Sequence, residues 1–242
     1  MKIKISWQQR CFDVFNVLFM LLLMVLTLYP MIHVLMASFS DGQELLQHSG
    51  LVLWPIGFNT DAYVKALGNA SILQGYKVTL FLLVVGCSVN ILLTVIGAYF
   101  MSKKDTMWRK PVSMMIIFTM FFSGGLIPLY LVVNGIGLMN SLWAVILVGA
   151  INTYNMIIMP TGFDTIPQSL TESAVIDGAG HLTVLFKIMI PLAMPTIAVI
   201  LLYYGVGHWN AWFNASIYLN DSDKYPLQLV FRGILLINDT AS

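Results

Sequence analysis

The chain has 242 residues, of which 58% are hydrophobic and only 10% are charged, and its mean hydropathy is +0.82. A soluble domain carries about 25% charged residues, so this composition excludes an ordinary soluble protein and predicts an all-α polytopic membrane helix bundle. No basic run that could follow a phosphate backbone is present, so we expect no nucleic-acid partner.

Apolar runs along the chain predict about five membrane spans, because a hydrocarbon core of about 30 Å needs about 20 apolar residues. They cover residues 14–36, 78–101, 112–133, 142–159 and 194–213. The first run is too long for a removable signal peptide, so we expect a retained anchor. An outer segment of residues 38–75 follows it and contains a short helix near residues 60–67, with Thr60 as its cap.

The second, third and fourth runs carry residues that shape helix packing. Gly86, Ser88 and Gly97 give the second run small faces that allow close helix approach. The sequence FFSGGLIP at residues 121–128 predicts a kinked or broken third helix, since Gly-Gly and Pro interrupt a membrane helix where the backbone faces protein or a cavity. Near the end of the fourth run, Asn152, Tyr154 and Asn155 either line a cavity or pack between helices, and packing is the preferred interpretation.

A water-exposed stretch from Thr165 to Pro191 separates the last two runs. Thr165 followed by Gln168 predicts an N-terminal capping box for a short helix. Gly178 and Gly180 predict the turn that ends it, because glycine supplies the backbone freedom of a sharp turn. A second helical segment then ends at Pro191, with an apolar stripe formed by Leu182, Leu185, Phe186 and Met189.

The distribution of basic residues predicts a cytoplasmic N-terminus. With that orientation, eight of the 12 lysine and arginine residues lie inside, which agrees with the positive-inside rule. They are Lys2, Lys4, Arg10, Lys103, Lys104, Arg109, Lys110 and Lys187. The same topology, derived from charge alone, places the stretch from Thr165 to Pro191 in the cytoplasm.

Motif spacing in that stretch resembles the EAA-x3-G-x9-I-x-L-P loop of ABC importer permeases. Glu172-Ser173-Ala174 is followed by Gly178 and then by Ile188-Met189-Ile190-Pro191. Ser173 replaces an alanine and Ile190 replaces the leucine of the pattern. The resemblance implies a cytoplasmic coupling loop, about residues 161–191, that docks on the ATP-hydrolysing subunit. The residues expected to take part are Glu172, Ser173, Ala174, Asp177, Gly178, Ile188 and Pro191.

The resemblance extends over nearly the whole chain and narrows to the carbohydrate-uptake permeases of the LplC/YtcP type. It rests on Tyr29-Pro30, on FFSGGLIPLYL at residues 121–131, on Ser141-Leu142-Trp143-Ala144 and on Tyr225-Pro226-Leu227-Gln228-Leu229. It implies a single permease domain over residues 1–242. Members of this branch have six spans, so the five runs predict either that a sixth is missing at the C-terminus or that the chain is a shortened natural form.

The same resemblance defines the expected function and partners. Trp209, Asn210 and Trp212 match the WN-x-W/F pattern of sugar permeases, and they form either the substrate path or an aromatic belt at the membrane interface. The chain has no phosphate-binding loop and its histidines have no metal-ligand spacing, so we expect no bound cofactor and no enzyme activity. The partners implied are a second homologous permease, an ATP-binding subunit dimer and an extracellular substrate-binding lipoprotein in a bacterial plasma membrane.

The alternative function is a self-sufficient secondary transporter or channel. Such a protein uses intramembrane carboxylates or an internal inverted repeat. No Asp or Glu lies within the five predicted spans, and no internal repeat is evident. The sequence therefore favours a permease subunit of an ATP-driven, binding-protein-dependent importer for an oligosaccharide or sugar derivative.

Overall fold

A computed structural model describes residues 7–103 and 106–241, with side chains described through residue 236. Every regular element in these residues is a helix. The chain falls into two compact units, Met1–Asn69 and Ala70–Ser242, and each is described by itself. Two uninterrupted helices are long and apolar enough to cross a membrane, Trp7–Ser38 and Ala70–Ser102, and three bent helix pairs raise the number of spans to as many as five.

The first unit contains the helix Trp7–Ser38 and a polar segment that follows it. Two further helices, Gly42–Gln47 and Asp61–Gly68, lie in this segment. Asp41 caps the first of them by accepting hydrogen bonds from two backbone N–H groups, which lower the pKa of its carboxyl. The predicted helix near residues 60–67 is confirmed, but the Thr60 side chain makes no capping hydrogen bond.

The second unit contains Ala70–Ser102 and the three bent pairs. The pairs are Arg109–Phe121 with Leu126–Gly135, Leu142–Val148 with Thr153–Asp164, and His181–Leu192 with Met194–Trp209. Their helices are bent by 115°, 60° and 84° respectively. We call Ala70–Ser102 the second-span helix, Thr153–Asp164 the fourth-span half-helix and Met194–Trp209 the fifth-span helix.

Each bend has a local cause in the sequence. Gly125 has φ +87°, which other residues rarely adopt, so the predicted break of the third run is confirmed. Asn152 precedes the fourth-span half-helix, and its side chain accepts a hydrogen bond from the Asn155 N–H as an N-cap. Pro195 lies in the first turn of the fifth-span helix, where its missing N–H separates that helix from His181–Leu192.

The second-span helix packs between the fourth-span half-helix and the fifth-span helix. A Cβ added at Gly97 would lie 2.6 Å from Met156 Cε, and one added at Gly86 would lie 2.6 Å from His208 Nε2. These two glycines therefore form the close helix contacts that the sequence predicts. Ser88, the third small residue, is exposed and its hydroxyl donates to its own helix at Val84 O.

Several predicted boundaries differ from the structure. The fourth run continues as helix to Asp164, so Asn152 and its neighbours lie at a break in the middle of the span. The fifth-span helix ends at Trp209, earlier than the predicted residue 213, and a separate helix covers Trp212–Tyr218. The polar remainder contains a further helix, Leu227–Ala241, which packs on the start of the second-span helix; there the Leu227 N–H donates to Thr79 Oγ1.

Candidate functional site

A short exposed helix, Gln168–Ile176, occupies the first part of the predicted coupling loop. The predicted capping box is wrong. Pro167 stands at the cap position without a side-chain hydrogen bond, and the Thr165 hydroxyl donates to Gly162 O at the end of the preceding helix. The helix therefore starts through the fixed φ of proline, which suits a helix entry.

Gly178 forms the turn that ends this helix, as its sequence position predicts. Its φ is +82°. The Gly178 N–H donates to Val175 O at 3.0 Å and the Ala179 N–H donates to Ala174 O at 2.8 Å. This pair of bonds is the Schellman motif, which satisfies the last carbonyls of a helix and places glycine at the left-handed position. Gly180, with φ −72°, does not need that freedom.

The two faces of the helix Gln168–Ile176 differ. Thr171 and Ala174 face inward, and Ala174 packs against the core of the unit. Ser173 is exposed and its hydroxyl donates within the helix to Ser169 O. The small Ala174 therefore lets the helix lie close to its own bundle. Ser173 is also small, so it adds little bulk to the exposed face of the helix. Ile176, at the end of the helix, is 85% exposed.

The second helical segment, His181–Leu192, is amphipathic in a different register from the predicted one. Leu185 and Met189 are buried in the core, as expected, but Leu182 and Phe186 are exposed. Residues Leu185–Met189 form a π-helical turn, which shifts the faces of the segment relative to a regular 3.6-residue repeat. Of the motif residues here, Ile188 is half-buried and Pro191 is exposed.

A cavity of about 690 Å³ lies between the helix Gln168–Ile176 and the end of the second-span helix. Its wall includes Glu172, Asp164 and Lys103. Glu172 and Asp177 are both exposed, so two motif carboxylates are free to contact a protein surface. The structure thus brings most of the predicted coupling residues together on one exposed loop, and their role in coupling stays a prediction.

A second cavity, of about 560 Å³, lies at the break in the fourth span, and we call it the break cavity. Its wall combines polar and aromatic side chains from the fourth and fifth spans, namely Asn152, Tyr154, Asn155, Tyr203, Tyr204, His208 and Asn214. The packing interpretation preferred from the sequence for Asn152, Tyr154 and Asn155 differs from this arrangement, because all three line the cavity.

A network of hydrogen bonds connects the break in the fourth span to the second-span and fifth-span helices. Asn90 Nδ2 donates to Gly149 O and to Ala150 O, both at 2.8 Å. The Asn152 N–H donates to Tyr204 Oη at 3.0 Å, and that hydroxyl lies 2.7 Å from Thr94 Oγ1. Backbone groups freed by the break are thereby satisfied by neighbouring helices, which is the condition for non-helical backbone at membrane depth.

Sequence reasoning missed this network. Asn90 and Thr94 are fully buried on the second-span helix, and His208 Nε2 lies 2.7 Å from Asn90 Oδ1. The available signal was the presence of two polar residues four positions apart within an apolar run, which places them on one helix face.

The predicted substrate-path residues lie apart from the break cavity. Trp209 and Asn210 line an apolar groove of about 930 Å³ along the second-span and fifth-span helices. Asn210 Nδ2 donates to Val206 O of its own helix. The Arg232 guanidinium lies 4.1 Å from the centre of the Trp212 ring, so part of that aromatic surface is already covered. Their assignment to the substrate path stays a prediction.

Within the described residues, no group of three or more His, Cys, Asp or Glu side chains is placed to hold a metal ion.

No family model matches the chain. Comparison with individual proteins is informative. The chain is 41% identical over 231 residues to the polygalacturonan/rhamnogalacturonan transport system permease protein YtcP of Bacillus subtilis, and the match covers 96% of this chain and 80% of the relative.

The chain belongs to the ABC importer permease family. Its match to YtcP and a 40% identity to protein LplC of the same organism, covering 95% of this chain and 78% of LplC, place this permease in the carbohydrate-uptake branch. A 27% identity to the Escherichia coli inner membrane ABC transporter permease YcjP covers 90% of this chain and 80% of that relative.

A solved structure gives the same result for the fold of the permease. It is described as a bacterial ABC transporter involved in the import of the acidic polysaccharide alginate. The TM-score is 0.92 at 31% identity, with 96% of this chain and 82% of the other chain covered. The predicted family, helical membrane fold and importer permease function are confirmed, and the alternative of a self-sufficient transporter is not supported. The relatives are transporter permease subunits of bacterial membranes.

Proposed function

We propose that this permease couples ATP hydrolysis in a partner subunit to uptake of an oligosaccharide or sugar derivative. In this proposal it pairs with a second homologous permease, with a dimer of ATP-binding subunits and with an extracellular substrate-binding lipoprotein. ATP binds to the partner subunit and this chain carries out no chemistry of its own.

The observation that carries the proposal is the exposed helix Gln168–Ile176. Leu170, Val175 and Ile176 on this helix are exposed although all three are apolar, and Ile176 is the most exposed of them. Exposed apolar residues beside charged groups can mark a protein interaction site. Glu172 lies on the same helix and offers a charge that can orient the partner.

The orientation we propose has the N-terminus in the cytoplasm. Arg109 and Lys110 begin the first bent pair, and Lys187 lies in the segment after the exposed helix. With these basic residues inside, the positive-inside rule is met and the helix Gln168–Ile176 faces the compartment that contains ATP.

The substrate class rests on the relatives. YtcP is named for polygalacturonan and rhamnogalacturonan, and the similar solved transporter is described as importing alginate, an acidic polysaccharide. Both descriptions concern carbohydrate polymers that carry acidic groups. We therefore choose trigalacturonic acid as the first substrate to test, with maltotriose as the neutral comparison.

We expect the importer to work by alternating access, because the exposed helix is rigidly connected to the spans. The Schellman turn at Gly178 and the packing of Ala174 hold the helix against the core formed by Val184, Leu185 and Met189. Closure of the ATP-binding dimer would move the two coupling loops of the permease pair together. Packed cores switch between discrete arrangements rather than deform continuously. That movement would therefore tilt the attached spans and open the translocation path of the permease pair to the docked lipoprotein.

Introduction of a charge at the exposed apolar end of the helix tests this proposal. Ile176→Glu is placed where the side chain is 85% exposed, so folding of the free permease should be unaffected. Leu46→Glu is the matched control, since Leu46 is 89% exposed in the first unit. We expect Ile176→Glu to reduce recovery of the ATP-binding subunit on copurification at least tenfold at normal membrane level. Equal recovery with both variants would refute the docking role.

A further inference from the structure

Two side chains at the break cavity are buried, and each carries a polar group for which no hydrogen-bond partner is found among the described residues. Asn155 is 4% exposed and His208 is 8% exposed. Tyr218 Oη is the one enclosed side-chain polar atom without a partner in the described residues. The carboxamide of Asn155 and Nδ1 of His208 are therefore unpaired but open to the cavity that both residues line.

Asn90 fixes the chemical state of the His208 ring. Its Nδ2 donates to Gly149 O and Ala150 O, so its Oδ1 must be the atom that faces His208 Nε2 at 2.7 Å. A carboxamide oxygen only accepts, so Nε2 carries the proton. In the neutral ring the other nitrogen, Nδ1, is then an acceptor.

Gly86 fixes the position of the ring. A Cβ at that residue would lie 2.6 Å from His208 Nε2 and 2.7 Å from Cε1, so the imidazole edge rests directly on the second-span helix. Packing on Gly86 and the hydrogen bond to Asn90 therefore hold the same edge of the His208 ring. Nδ1 is not among the three ring atoms nearest to Gly86.

We propose that the break cavity is a binding site for a sugar unit of the transported oligosaccharide, in which His208 Nδ1 accepts from a hydroxyl and Asn155 binds a neighbouring hydroxyl. This inference rests on the proposed function and names the residues that recognise the substrate. A buried acceptor without a partner is unfavourable until a donor arrives, so the site discriminates in favour of ligands that supply one.

The remaining wall suits the same ligand. The rings of Tyr203 and Tyr154 are about half exposed and line the cavity beside the two polar groups. Aromatic faces contact the C–H faces of sugar rings, while a few fixed polar groups set orientation in such pockets. The volume of about 560 Å³ falls within the roughly 300–1,000 Å³ that is usual for small-molecule sites.

The test uses the complete importer, with its partner permease, ATP-binding subunits and lipoprotein, reconstituted in proteoliposomes. ATP hydrolysis and uptake are measured against the concentration of lipoprotein loaded with trigalacturonic acid or with maltotriose. Asn155→Leu removes a carboxamide for which no partner is found among the described residues, so it should fold normally. His208→Phe removes both nitrogens, including the one bonded to Asn90, so the level of the assembled complex is measured for this variant in parallel. Asn134→Leu, an exposed position near the end of the helix Leu126–Gly135, is the matched control.

For the stimulating saccharide, we expect Asn155→Leu and His208→Phe each to raise the half-saturating concentration roughly three- to tenfold, the effect of one lost hydrogen bond. The maximal rate and the level of the assembled complex should change less. The control should match the unsubstituted importer. Unchanged half-saturation in both variants would overturn the inference while leaving the proposed function intact.

Two other outcomes separate the hypotheses. If Asn210→Leu raises the half-saturating concentration and Asn155→Leu does not, the substrate lies in the apolar groove and the inference is wrong. If neither saccharide stimulates the unsubstituted importer, the proposed substrate class fails and this inference fails with it.

Discussion

Substitution of Gly178 by valine separates the shape of the coupling loop from the folding of the spans. Gly178 has φ +82° and no heavy atom lies within 4 Å of an added Cβ. The substitution therefore causes no steric clash with neighbouring atoms, and its whole effect arises from the backbone. A left-handed conformation costs an L-residue roughly 1–2 kcal/mol, and a β-branched side chain is worse placed there than alanine.

The turn also contains two hydrogen bonds that would be weakened. They are Gly178 N–H to Val175 O and Ala179 N–H to Ala174 O, and an exposed bond of this kind contributes at most about 1 kcal/mol. Together, the backbone cost and the weakened hydrogen bonds destabilise the docking-competent turn by about 2–3 kcal/mol. Since about 1.4 kcal/mol is tenfold, association with the ATP-binding subunit should fall by roughly one to two decades.

Gly180→Val is the matched control for this prediction. Gly180 lies two residues away, is equally exposed and also has open space around an added Cβ. Its φ of −72° and ψ of 162° are in the extended region that valine prefers. The assay is copurification of the ATP-binding subunit, with saccharide uptake and membrane level measured in parallel. Equal loss in both variants, or none in either, would refute the argument from the left-handed turn.

Three further predictions concern topology, charge and packing. In a cysteine-free background, a cysteine at Thr106 should be protected from an impermeant reagent in whole cells and one at Gln47 should be labelled; the reverse pattern would place the coupling loop outside. Glu172→Lys should lower recovery of the ATP-binding subunit about tenfold at normal membrane level, and normal uptake would exclude a role for this charge. Gly86→Ala should lower thermal stability by about 1–3 kcal/mol through overpacking against the adjacent histidine ring, whereas Gly205→Ala, which meets only an ordinary contact at 3.6 Å, should leave the melting temperature within error.

Features of the fold that depend on neighbouring residues were predictable from the sequence. The break at Gly125 and the turn at Gly178 follow from glycine in a position that requires positive φ. The hydrogen bond made by the Thr165 hydroxyl was not predictable, because the following helix offers N–H donors while the preceding helix offers carbonyl acceptors, and the hydroxyl donates to Gly162 O of the preceding helix. A local motif cannot decide between such alternatives.

Features that depend on distant residues were not predictable. Asn90 and His208 are 118 positions apart, and only the packed helices bring them within hydrogen-bond distance. For the same reason, the sequence could not show that Asn155 opens on a cavity while Asn210 bonds to its own helix. Both are asparagines near the end of an apolar run, and the direction of each side chain depends on where its helix breaks.

Cross-linking at the exposed end of the coupling helix tests the central claim most directly. A photoreactive amino acid is placed at Ile176 and, in a separate variant, at Ile136, an equally apolar residue that is exposed in a different loop. In the assembled importer we expect irradiation to join position 176, but not position 136, to the ATP-binding subunit. A cross-link from position 136 alone, or from neither position, would contradict the assignment of Gln168–Ile176 as the helix that receives the energy of ATP hydrolysis.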